Sequence, residues 1–136
     1  MKKWKIQLPL GLRRSFQIQF LELQTGKYNN IKYNDELGLV TEIENGNYIS
    51  IEKLSIGTIE QLYLALRLSI IKELSDEKIP IFLDEAFAYY DNERLENILK
   101  FIYEEFNNIQ IIIFTCTDRE QNTFDKLDIQ YNLINI

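Results

Sequence analysis

The sequence predicts an α/β fold, a parallel sheet with helices on its faces, preceded by a helix and a small antiparallel β-ribbon. Three observations predict it. From residue 58 onward, segments with helical and strand-like periodicity alternate, the pattern of a sheet covered by helices. Two short runs, IPIFL (79–83) and IQIIIFT (109–115), are largely apolar without strict alternation, as buried parallel strands are. Upstream, residues 28–53 fall into short β-prone runs broken by Asn-Asp and Glu-Asn-Gly-Asn, which is hairpin punctuation.

Each element follows from its residues. In 10–24 (LGLRRSFQIQFLELQ), Leu12, Phe16, Phe20 and Leu23 recur at spacings of three and four, so a helix is expected there, with Gly26 as its stop. Asn45-Gly46 lies between VTEIE and YISIE, and an antiparallel ribbon of two or three strands is expected over 28–53. Residues 58–75 (TIEQLYLALRLSIIKELS) predict a helix with Thr58 as N-cap. Apolar residues cover most of its surface, which predicts burial between layers, and Arg67 is expected to pair with an acid or to reach an edge. Pro80 fits only the start of the strand over 79–83. In 92–106, Leu95, Ile98, Leu99, Ile102 and Phe106 share one face of a helix capped by Asp91. A second buried strand is expected over 109–115, a short helix over 118–127, and a last strand or edge over 129–134. A length of 136 residues suits a single domain over 1–136.

Composition excludes several classes. The net charge of −6 argues against a strong nucleic-acid footprint, which needs clustered Lys and Arg. The basic cluster Lys2, Lys3, Lys5, Arg13 and Arg14 reads as a solvated end. With Cys116 as the only cysteine and no histidine, neither an intrachain disulfide nor a zinc site is expected. No apolar run approaches the ~18 residues needed to span a bilayer, and the first residues lack a signal-peptide core. A cytoplasmic protein without a membrane partner is expected.

Three segments carry chemistry, in a fixed order. LSIGTIEQ (54–61) opens the most apolar helix. Unpaired N–H groups and a positive dipole end sit at a helix tip, and small Ser55, Gly57 and Thr58 let a phosphate approach it. An ordinary N-cap after a glycine turn accounts for the same residues. IFLDEAFAYYD (81–91) is an apolar strand ending in two acids, at the sheet edge where α/β folds bind ligands. There Asp84 can hold Mg²⁺ through oxygen and Glu85 can orient or deprotonate a water; two solvated acids in a turn are the plain alternative. Asp91 is a cap or part of a loop directed at a partner. IIIFTCTD (111–118) is a strand ending in small polar residues, Thr115, Cys116 and Thr117, which also serve simply to close a strand.

Taken together, these residues resemble the C-terminal lobe of an ABC-type ATPase head of the SMC/RecN/YhaN-like group, over about residues 15–120. LSIGTIEQLYLALRL resembles the signature motif and its helix. IPIFLDEAF resembles a Walker B strand with the hydrolytic glutamate after the metal-directed aspartate. Asp91 falls where a D-loop aspartate is found, and IIIFTCTDRE resembles the strand entering the switch region. The helix over 10–25 and LQTGKY look like the end of a returning coiled coil. The resemblance implies a P-loop NTPase-like parallel sheet, the β-ribbon over 28–53, and a signature, Walker B and switch lobe over 54–136.

It further implies that ATP and Mg²⁺ bind with a complementary N-terminal P-loop lobe, of the same or another chain. In such a pairing Ser55, Gly57 and Thr58 touch the ATP held by a second head, Asp84 supports the metal, and Glu85 is catalytic. Asp91 serves the D-loop, and Cys116 and Thr117 serve the switch. The chain departs from the family pattern twice. It contains no G-x-x-x-x-G-K-[ST]; around Gly26-Lys27, Leu21 stands where the first glycine belongs and Tyr28 where Ser or Thr belongs. The switch histidine is replaced by Cys116 or Thr117, which lack its charge and hydrogen-bonding pattern. The implied function is ATP-dependent head dimerisation and hydrolysis once an N-terminal lobe completes the site, with no activity of the chain alone. DNA repair or chromosome maintenance, and DNA as a partner, follow by family analogy only. Two other readings stand beside it: a non-catalytic interaction or regulatory module derived from such a lobe, and a metal-dependent phosphohydrolase built on Asp84, Glu85 and Asp118.

Overall fold

The computed structural model describes residues 28–135, apart from 29, 35, 45 and 75–77. The helix expected over 10–25, its stop at Gly26 and the N-terminal basic cluster lie outside the described residues. The chain divides into two compact units, one through Asp76 and one from Glu77.

In the first unit, β1 (Asn30–Asn34), β2 (Gly38–Glu44) and β3 (Asn47–Ser50) form an antiparallel sheet in chain order, the ribbon that the β-prone runs predict. Asn34 Oδ1 accepts from the N–H groups of Glu36 and Leu37 at 2.8 and 3.0 Å, closing the first turn by side chain. In the second turn Glu44 pairs with Asn47, leaving a two-residue loop in which Gly46 sits at φ +80, a conformation that a side chain disfavours. Glu42 steadies that hairpin, accepting from Gly46 N–H at 3.0 Å and from the Tyr48 hydroxyl at 3.2 Å.

A single 3-10 turn, Ile51–Lys53, leads into helix α1, Ile56–Leu74. The N-cap differs from the expected Thr58. Ser55 precedes the helix, its carbonyl accepts from Thr58 and Ile59 N–H at 3.0 Å each, and its Oγ accepts from Thr58 N–H at 3.4 Å. Thr58 therefore belongs to the first turn. Two hydroxyl residues three apart look alike in sequence, and the helix begins at the earlier one because Gly57 takes up helical geometry. Leu62, Leu64, Ala65 and Leu68 are buried, as the apolar pattern predicts. Ile56, Tyr63, Arg67 and Ile70 are exposed along one stripe, so the helix is not enclosed on every side.

The second unit begins with β4 (Ile81–Asp84), which pairs in parallel with β5 (Ile111–Phe114). Pro80 precedes the ladder, where its missing N–H costs nothing. Only one face of β4 is buried: Ile81 and Leu83 point inward, while Phe82 is 62% exposed and stacks on Phe114 at 6.4 Å between ring centroids. The continuous apolar run predicts burial on both faces; among the described residues none covers the Phe82 face. Helix α2 (Asn92–Glu105) buries Leu95, Ile98, Leu99, Phe101 and Ile102, with Phe106 buried at its end.

Helix α3 (Arg119–Lys126) is tied to α2 by an ion pair between Lys126 and Glu96. It ends with Asp128 at φ +55; Ile129 N–H bonds to Phe124 C=O at 3.0 Å and Asp128 N–H to Asp125 C=O at 3.3 Å. This is a Schellman termination. The expected strand over 129–134 is not formed. Its alternating apolar residues mimic a strand, but Ile129 is buried and Tyr131 folds back onto α3, stacking on Phe124 and donating to Asp125 Oδ1 at 2.9 Å.

Candidate functional site

The C-terminal ends of the paired strands build the candidate site of the second unit. Asp84 pairs in register with Phe114 and is exposed. Glu85 extends the ladder by one bond, donating its N–H to Phe114 C=O at 3.0 Å. At the same residue the chain turns sharply, with Glu85 at φ +45, a region uncommon for a side-chain-bearing residue and frequent at functional sites.

The turn brings Glu85 to the other strand end. Its Oε1 accepts from Cys116 N–H at 2.6 Å, a short charge-assisted bond. The same carboxylate, as acceptor and then as a charge, holds the exposed Cys116 thiol above its ordinary pKa. The 115–117 loop is anchored in turn. The Thr115 and Thr117 hydroxyls both donate to Glu120 Oε2, at 2.9 and 3.0 Å, and Thr117 N–H reaches Thr115 Oγ1 at 3.2 Å.

Asp91 caps α2, as the sequence predicts: one oxygen accepts from Arg94 N–H at 2.8 Å and the other lies 3.6 Å from Arg94 Nε. Arg119 Nη2 donates to Tyr90 C=O at 2.6 Å, holding the residue just before the cap. Asp91→Ala is expected to cost about 1 kcal/mol, the usual loss of an N-cap, read as a lower urea midpoint at unchanged slope; Asp91→Asn should keep most of it.

In the first unit, the helix tip presents Ser55 to solvent. Its Oγ lies 2.8 Å from Thr58 Oγ1. Gly57 and Thr58 are buried, so the Thr58 hydroxyl fixes the Ser55 rotamer while Ser55 is the hydroxyl at the surface. The two sets of candidates thus stand in separate units, Ser55, Gly57 and Thr58 in one and Asp84, Glu85, Asp91, Cys116 and Thr117 in the other. Among the described residues no group of three or more His, Cys, Asp or Glu side chains could hold a metal ion, so Asp84, Glu85 and Asp118 do not form a metal cluster. No helix among these residues is long and apolar enough to cross a membrane.

No family model matches the chain. The fold has clear likenesses among solved structures. One from work on ATP-driven dimerization and DNA-stimulated activation of SMC ATPases aligns with a TM-score of 0.67 at 19% identity, over 83% of this chain and 71% of that one. An Smc head bound to the C-winged helix domain of ScpA aligns at 0.64 and 23%, over 83% of this chain and 36% of that one. Among curated proteins, the uncharacterized protein YhaN of Bacillus subtilis is 32% identical over 123 residues, 88% of this chain. The DNA double-strand break repair Rad50 ATPase of Methanococcus maripaludis is 34% identical over 105 residues, 77% of this chain. The chain belongs with the SMC- and YhaN-like ABC-type ATPase heads, as a C-terminal piece. It spans only 13% and 10% of the lengths of YhaN and the Rad50 ATPase.

Within this SMC/YhaN-like head piece, the strand-end acids and the loop after β5 meet through the Glu85–Cys116 bond. Sequence reasoning missed Glu120 and Arg119, which hold the loops from behind. A signal for Glu120 was present, since Thr117-x-x-Glu120 has capping-box spacing. Nothing in the local pattern marks Arg119, whose partner is a backbone carbonyl 29 residues away.

Proposed function

We propose that this head piece supplies the signature-like helix tip and the Walker B-like acids of an ATP-hydrolysing, ATP-dimerising head that a P-loop lobe completes. The observation that carries the reading is the clamped Glu85: an exposed carboxylate at a parallel-strand end, next to Asp84, oriented by Cys116 N–H at 2.6 Å. Such a group is placed to accept a proton from an attacking water. Asp84, an exposed oxygen donor on the adjacent residue, fits the hard-cation chemistry of Mg²⁺ as one ligand among several. When bound, Mg²⁺ neutralises charge on the phosphates of ATP. Ser55 offers the exposed helix-tip hydroxyl to the ATP of an opposing head, with Thr58, buried like Gly57, bracing Ser55 from inside. The open Phe82–Phe114 face supports the same reading, because parallel strands are ordinarily covered on both faces.

The setting, DNA repair or chromosome maintenance, rests on the Rad50 relative. A second reading, a non-catalytic interaction module, is favoured by Cys116 and Thr117 standing where an imidazole is expected. Assembly tests the first reading. The full chain, mixed with a P-loop lobe from the same genome, should form a larger species in light scattering with ATP and Mg²⁺ but not with ADP. Nucleotide-independent behaviour would sink the proposal. ATP-dependent pairing without turnover would select the second reading.

A further inference from the structure

We propose that Glu120 is a positioning residue for Glu85, acting through the 115–117 loop. The consequence for hydrolysis rests on the reading of Glu85 given above; the geometry does not.

Glu120 is 5% exposed. A carboxylate is costly to bury unless it is well hydrogen-bonded, and a purely packing role would be met by an apolar side chain. What Glu120 meets instead are the hydroxyls of Thr115 and Thr117, the two residues that flank Cys116, both on Oε2 at 2.9 and 3.0 Å. Each threonine has one hydroxyl proton. Because Thr115 gives its proton to Glu120, its lone pairs are left to accept Thr117 N–H at 3.2 Å, and the loop curls tightly. The Cys116 N–H belongs to the peptide unit that joins Thr115 to Cys116. With the residues on both sides pinned to one carboxylate oxygen, that unit has little freedom to rotate, and its N–H stays aimed at Glu85 Oε1, 2.6 Å away. The clamp on Glu85 is thus set by a carboxylate that does not itself touch it.

Cys116 is the only cysteine of the chain and is exposed, so its reaction with a disulfide reagent such as DTNB reports the loop directly, and access to the thiol is not limiting. The thiolate is the reacting form, and the Glu85 carboxylate beside it raises the pH at which it forms. In the full chain, Glu85→Gln should move the pH–rate midpoint down. Glu120→Ala should move it the same way, with severalfold faster reaction at mildly alkaline pH, because the loop no longer holds Cys116 against Glu85. Glu120→Gln removes the same charge, which after Glu85 also helps raise the Cys116 thiol. It keeps an acceptor oxygen for the threonines, so its midpoint should fall clearly less than that of Glu120→Ala; the gap between the two variants reads the positioning. Without positioning, Glu120 would act on the thiol through its charge alone, so Glu120→Ala and Glu120→Gln would shift the midpoint equally and Thr117→Ala, which keeps that charge, would leave it unmoved. Should Glu120→Ala not fold, Thr117→Ala removes one of the two donors and should give a smaller shift in the same direction. The proposal is overturned if Glu85→Gln moves the midpoint while the two Glu120 variants shift it equally, or not at all, and Thr117→Ala does not, and equally if Glu85→Gln leaves it in place. No nucleotide enters the assay, so failure of ATP-dependent pairing would leave this result standing.

Discussion

Glu85→Gln, combined with ATP, Mg²⁺ and a P-loop lobe, is expected to lower hydrolysis by about 10²–10⁴-fold while leaving ATP-dependent pairing intact or prolonged. That range is the usual contribution of a positioned general base, about 3–5 kcal/mol of barrier. The substitution is nearly isosteric, and its amide oxygen can still accept the Cys116 N–H that now reaches Glu85 Oε1 at 2.6 Å. The turn at Glu85, with its N–H on Phe114 C=O, is made by backbone and does not depend on the charge. What disappears is proton acceptance, so pairing and turnover should separate. Single-turnover hydrolysis measured beside light scattering would show it. Unchanged turnover would remove Glu85 from the catalytic role.

Phe87→Ala is expected to destabilise the second unit by about 3–5 kcal/mol, the range for truncating a buried aromatic ring. Phe87 is 1% exposed and meets Tyr90 edge-on at 5.7 Å, and its carbonyl accepts from Tyr90 N–H at 3.0 Å. It is therefore the apolar anchor of the 85–91 segment that carries Glu85 at one end and the Asp91 cap at the other. Domains have only about 5–15 kcal/mol of stability, so the loss is a large share of the whole. Urea unfolding should show a lower midpoint. A change below about 1 kcal/mol would mean that Phe87 does not anchor this segment.

The elements most legible in sequence are those whose signals are local. Asn45-Gly46 announces a hairpin because few residues tolerate the left-handed backbone that Gly46 adopts at φ +80. Asp91 reads as a cap because its partner, Arg94 N–H, lies three residues away. The face of α2 is legible because Leu95, Ile98, Leu99 and Ile102 repeat at the helical period. The failures are non-local or degenerate. Ser55 and Thr58 are equivalent as cap candidates until the path of Gly57 is known. Ile129, Tyr131 and Leu133 alternate like a strand, yet Tyr131 turns back to Asp125 and Phe124, since a strand requires a partner and periodicity does not name one.

The order of amino acids was enough to determine the alternation of strand and helix, the two acids at a strand end, and the kinship with SMC- and YhaN-like heads that the relatives bear out. Tertiary structure alone decided that Cys116 N–H seats on the Glu85 carboxylate 31 residues earlier, that Glu120 gathers Thr115 and Thr117, and that Arg119 reaches Tyr90 C=O. The physical reason is that short-range periodicity encodes which face a residue takes. Hydrogen bonds between distant strand ends depend on a register and a turn angle that exist only once β4 and β5 have paired.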